Sequence, residues 1–170
     1  MPGGSTPTRS IPWDSSWPRW LDPAERARLL GWLEAFFGIP AGVFDPFDLA
    51  ASSRTTYLVR RCPRMEELAA LRIQNVGLPL VRQVAGYLKP TTPAAQLLGR
   101  HARRRVAELA PAELERLRRE GEIPWRGPWE PGYVFLAAAG QTWGCGLYLE
   151  PGRLLSRLPK NMALAPDDPA

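Results

Sequence analysis

The stretch 132–160, GYVFLAAAGQTWGCGLYLEPGRLLSRLPK, constrains this chain more than any other. Tyr133, Val134, Phe135 and Leu136 are strand formers without helical spacing, and Gly140 permits a turn. The run 143–149 is a second strand, Pro151-Gly152 a second turn, and 153–158 a third strand ended by Pro159. Gly144 and Gly146 flank Cys145 inside the middle strand, where missing side chains let a strand bend sharply or let another backbone approach closely. Small, strongly coiled barrels turn their corners in this way, so the last third of the chain is predicted to form one.

The rest of the chain alternates helical and strand signals. Asp22 can cap a helix that Pro23 opens and Glu25 completes as a capping box; Leu29, Leu30, Leu33, Phe36 and Phe37 follow at helical spacing until Gly38 and Pro40 stop the run. Segments 43–49 and 55–61 read as a hairpin, 64–71 as a short helix, and 73–76 and 80–84 as strands. Thr92 and Pro93 can cap and open a helix running to about Ala102, and 103–109 reads as a strand anchored by Val106 and Leu109. Pro111 starts a helix with Leu114 and Leu117 inward, and Gly121 ends it. The expected class is α+β: a small N-terminal α/β domain over 19–86, then a C-terminal β pseudo-barrel with short helices over 87–162. Residues 1–18, rich in Pro, Gly, Ser and Thr, and residues 163–170 are expected to be flexible tails, although Trp17 and Trp20 should pack on the domain.

Charge narrows the list of partners. The 170 residues include 20 arginines and two lysines against 17 carboxylates, a net charge of +5, which suits an anionic partner without identifying it. Local clustering is more informative: Arg100, His101, Arg103, Arg104 and Arg105 fall within six positions with no carboxylate among them. No apolar run approaches the ~20 residues that span a bilayer, and the N-terminus lacks the plan of a secretion signal, so a soluble, cytoplasmic protein with no membrane partner is expected. Cys62 and Cys145 are far apart in sequence and form no CxxC pair, and no metal-ligand spacing, P-loop or nucleotide-binding turn is present. Neither metal nor cofactor is expected.

Taken together, Gly132-Tyr133-Val134, Gly140, Gly144-Cys145-Gly146, Gly152-Arg153-Leu154 and Leu158-Pro159-Lys160 resemble a PUA-like RNA-binding domain. More closely, they are similar to the RNA-binding tail of the Sun/Fmu-type RNA cytosine-5 methyltransferases. Leu88-Lys89-Pro90-Thr91-Thr92 and 96–102 resemble the same family, so the likeness covers roughly the second half of the chain. The N-terminal unit is similar in layout to the pre-PUA domain that precedes such barrels. The resemblance implies a reader of folded RNA. Methyltransferases of the family carry a large nucleotide-fold domain with an S-adenosylmethionine site, for which 170 residues leave no room, and Cys62-Pro63 reverses the family's catalytic Pro-Cys order. A non-catalytic protein binding structured rRNA or tRNA, in ribosome biogenesis or RNA modification, is therefore the expectation.

Its phosphate-binding residues would be Lys89, Arg100, His101, Arg103, Arg104 and Arg105 at the entry to the barrel, with Arg153, Arg157 and Lys160 on the last strand. Strand alternation places Arg153 and Arg157 on one face. The resemblance implies that 89–105 and 153–160 lie side by side on the groove where PUA-like domains hold an RNA stem. Two other functions compete. A docking module for a separately encoded RNA methyltransferase, or for a ribosomal precursor, would expose Trp125, Trp129 or Trp143 in one apolar patch. An independent enzyme would need a deep pocket with polar groups converging on His101 or Cys145.

Overall fold

The computed structural model describes residues 19–63 and 76–159. Both expected tails, with Trp13, Trp17 and Lys160, lie outside the described residues, as do the helix expected over 64–71 and, apart from Val76, the strand over 73–76.

The class is α+β. Strands β1 (Arg19–Trp20), β2 (Phe47–Ala51), β3 (Thr55–Arg60), β4 (Leu78–Val84) and β5 (Tyr87–Pro90) form one antiparallel sheet in chain order. Strands β6 (Val106–Glu108), β7 (Glu122–Pro124), β8 (Gly132–Ala138), β9 (Gln141–Leu149) and β10 (Arg153–Ser156) form a second, open sheet in the order β6-β8-β9-β10-β7. The pair β6 and β8 is parallel, and α3 (Pro111–Glu120) lies in the connection between these strands. The other two helices are α1 (Pro23–Phe37) and α2 (Thr92–Leu98), the latter running on as a 3-10 turn, Gly99–His101. Among the described residues no helix is long and apolar enough to cross a membrane.

Local chemistry sets the helix ends. Asp22 accepts from the Glu25 amide at 2.8 Å while the Glu25 carboxylate accepts from the Asp22 amide at 3.0 Å, and Gly38 closes α1 at φ 68°. The cap of α2 is Thr91, one residue earlier than expected; its hydroxyl accepts from the Ala94 amide and donates to the Pro79 carbonyl. The strand expected over 103–109 is shorter, because Arg103 and Arg104 both donate their amides to the Phe37 carbonyl at 3.0 Å and so leave the β ladder.

Strand β8 is buried on both faces, which is why 132–138 shows no alternation of apolar and polar residues. Phe135 and Cys145 face a core shared with Leu33 and Phe37 of α1, Leu58 and Val81 of the first sheet, and Ala95 and Leu98 of α2. Val134, Leu136, Tyr148 and Leu154 face a second core closed by Leu114 and Leu117 of α3. Phe37 and Phe135 stack with centroids 4.4 Å apart at 7°, joining the two halves of the chain.

Strands β4 and β5 are joined by Ala85 and Gly86, both at positive φ (48° and 83°), as expected of a two-residue hairpin turn. The division expected between 86 and 87 falls inside this turn, so the two segments it separates pair with each other.

Candidate nucleic-acid interface

Hairpin register fixes the first part of the site. Arg82 on β4 and Lys89 on β5 are directly opposite one another, so both side chains leave the same face of the sheet. Like charges so placed repel, and among the described residues no ion pair engages either of them. Arg157 arrives from the other sheet. Its amide donates to the Cys145 carbonyl at 3.1 Å, which holds the segment after β10 against the middle of β9.

These three cations line one cleft of about 370 Å³, with the Thr91 and Thr92 residues, Pro79, Pro90 and Pro159 completing its walls. Among the described residues that line it there is no carboxylate. Gly144 explains how the cleft closes: a β carbon there would stand 2.5 Å from Leu158 Cδ2 and 3.2 Å from Thr92 Cγ2. Only a residue without a side chain lets the 157–159 segment and the start of α2 approach β9 together. Cys145 is buried in the first core behind Pro90, which lines the cleft. Its thiol donates to the Pro90 carbonyl at 3.3 Å, and burial pushes its pKa up to about 11 against the opposing pull of Lys89 and Arg157. Such a thiol is a packing group, since a reactive one needs its thiolate favoured.

The other residues singled out in the sequence go elsewhere. Arg100 and His101 lie at the far end of α2, where the Arg100 Nε donates to the His101 Nε2 at 3.0 Å. Arg100 lines a separate groove of about 390 Å³ with Gln96, Gln141, Thr142 and Trp143. Arg104 donates to the Ala35 carbonyl at 3.1 Å, at the C-terminal end of α1. Arg105, at φ 54°, lies over the Phe36 ring at 4.0 Å and donates to the Glu130 carbonyl at 3.0 Å and the Tyr133 carbonyl at 3.5 Å. Burial lowers its pKa, with Glu130 opposing. With Arg103 beside Gly38, this run serves the C-terminus of α1, where helix carbonyls and the macrodipole favour cations.

Arg153 is also apart from the cleft. It pairs with Glu122 at 3.4 Å on the β7 side of β10, and β10 ends at Ser156. The face shared by Arg153 and Arg157 therefore does not make one site, because about 13 Å of strand separates them.

Arg82, Thr91 and Thr92 are the lining residues that sequence reasoning missed. The Ala85-Gly86 hairpin places Arg82 opposite Lys89, and alanine's rarity at positive φ conceals that turn in the sequence. The tryptophans do not form one exposed patch. Trp125 and Trp129 stack at 5.4 Å, each edge-on to Tyr148, and all three, Trp143 included, are half-buried against the second core. Among the described residues no group of three His, Cys, Asp or Glu side chains stands close enough to hold a metal ion. No protein-family model and no curated protein matches the chain.

Proposed function

We propose that this chain is a non-catalytic RNA-binding protein that holds the phosphate backbone of a structured rRNA or tRNA in the cleft of Arg82, Lys89 and Arg157. The observation carrying this reading is the cross-strand pair of like charges joined by a third cation from another sheet, with no carboxylate among the described residues that line the cleft. Repulsion among the three is relieved when an anion enters, so phosphate binding and local stability favour each other. Thr91 and Thr92 border the same cleft, and hydroxyls are common partners of phosphate oxygens. Arg100, in its separate groove, lies eight residues along α2 and its 3-10 turn from Thr92, about 12 Å by helical rise, and is not one of the cleft's phosphate contacts. The resemblance of 132–160 to PUA-like domains supports folded RNA among polyanions, and with it a role in ribosome biogenesis or RNA modification.

Equilibrium binding of a structured RNA at several salt concentrations tests the reading. Neutralising two or three phosphates predicts a fall in log affinity against log salt with a slope of about −2 to −3. The triple variant Arg82→Glu, Lys89→Glu, Arg157→Glu should weaken binding by about a hundredfold or more. Binding that is insensitive to salt, or unchanged in the triple variant, overturns the assignment.

A further inference from the structure

A third concavity, of about 450 Å³, lies between α1, the β4–β5 hairpin and the β8–β9 pair. Trp32, Phe36, Tyr87, Tyr133, Leu147 and Leu149 line it, and among the described residues no charged one does. Trp32 and Phe36 stack at 5.3 Å and 17°, and Arg105 covers Phe36. A β carbon at Gly132 would stand 3.0 Å from the Arg105 guanidinium and 3.3 Å from the Phe36 ring, so the glycine permits this close approach. The trough is thus rigid on the α1 side. On the other side Tyr87 is 73% exposed, an unusual condition for an aromatic ring that has an apolar trough beside it.

The geometry points to this trough as the seat of one unstacked nucleobase whose phosphate lies in the Lys89 and Arg157 cleft, so that the RNA bound is a stem with a single-stranded extension or bulge. The inference rests on the RNA-binding reading and specifies its ligand. Three observations carry it. Tyr87 and Lys89 are two residues apart on β5, about 7 Å by strand rise and on the same face, so the trough and the cation cleft adjoin along one strand. The uncharged aromatic lining suits a flat ring and has nothing to hold phosphate, whereas the cleft has the converse composition. Tyr133 links the two: its half-buried phenol has no hydrogen-bond partner among the described residues, and its pKa, raised by burial, is pulled back by Arg157. Stacking with adjacent phosphate contact is how proteins hold unpaired nucleotides.

The experiment compares the full chain's affinity for a blunt RNA hairpin and for the same hairpin with a short single-stranded extension at either end. The extension should tighten binding about tenfold. Tyr87→Ala, which removes a ring that is already exposed, should abolish that gain and leave affinity for the blunt hairpin unchanged. Tyr133→Phe should reduce the gain in part. Equal affinity for the two RNAs, or a gain that survives Tyr87→Ala, overturns the base seat while leaving the phosphate cleft standing. Failure to bind either RNA overturns the RNA reading and this inference with it. A protein partner held through Tyr87 after nuclease treatment would replace the nucleobase with an apolar side chain and also overturn it.

Discussion

The densest basic run in the chain and the cation cleft make an instructive pair. Arg103, Arg104 and Arg105 are consecutive, yet their amides and guanidinium groups serve the end of α1, the Phe36 ring and the carbonyls of the 130–133 segment. Arg82, Lys89 and Arg157 are scattered over 76 positions of sequence and converge on one concavity. Clustering along a chain therefore measures little about clustering in space. What distinguishes the two groups is hydrogen-bond occupation: backbone acceptors already engage the run, whereas the cleft cations have no such partners among the described residues.

This contrast can be broken by exchanging stability for binding. The largest effect is expected for Arg105→Ala, which removes a cation–π contact and two hydrogen bonds to carbonyls. It should cost about 2–3 kcal/mol in denaturant unfolding, with the RNA affinity of the folded fraction unchanged. A loss of affinity without a loss of stability would place Arg105 in the interface.

Next is the thiol buried behind the cleft. Burial raises the Cys145 pKa to about 11 in the folded state, above the range of an exposed thiol, so between the two the unfolded chain holds fewer protons than the native one. Stability should therefore be full below about pH 9 and fall as pH rises toward 11, by on the order of 2 kcal/mol. Cys145→Ala should flatten that fall in a pH series of unfolding curves. The same burial predicts that a thiol reagent labels exposed Cys62 and spares Cys145 in the folded protein.

Gly144→Ala should come third, at about 1–2 kcal/mol, because the new methyl group meets Leu158 Cδ2, the far end of a side chain that can shift. Displacing Leu158 also moves Arg157, so this variant should lose RNA affinity together with stability, which neither group of cations does alone. The smallest effect belongs to Arg153→Glu. Its exposed pair with Glu122 is worth at most about 1 kcal/mol, and affinity should change by no more than about twofold. A larger loss would extend the interface to the β7 side of the second sheet.

The parts of the fold legible in the sequence are those whose signals are local. The first helix was readable to the residue from Pro23 to Gly38, since its cap, stripe and stop occupy one contiguous stretch. The three C-terminal strands were readable because glycines and a Pro-Gly pair separate them. Strands β1 and β7, of two and three residues, have no period to read, and only their partners Ala50–Ala51 and Leu154 make them strands. The alanine at positive φ before Gly86 also hid a hairpin turn, since alanine rarely adopts that conformation.

Sequence alone determined the α+β class, the ends of α1, and the need for glycine where β9 is crossed by another segment. Tertiary structure decided which cations meet, because side-chain neighbours across a sheet depend on register and on which strands pair, and neither is written in local spacing. It also decided that Arg105 is a fastening for α1, since that role requires the Phe36 ring and the Glu130 carbonyl to be brought to it from either side of the chain.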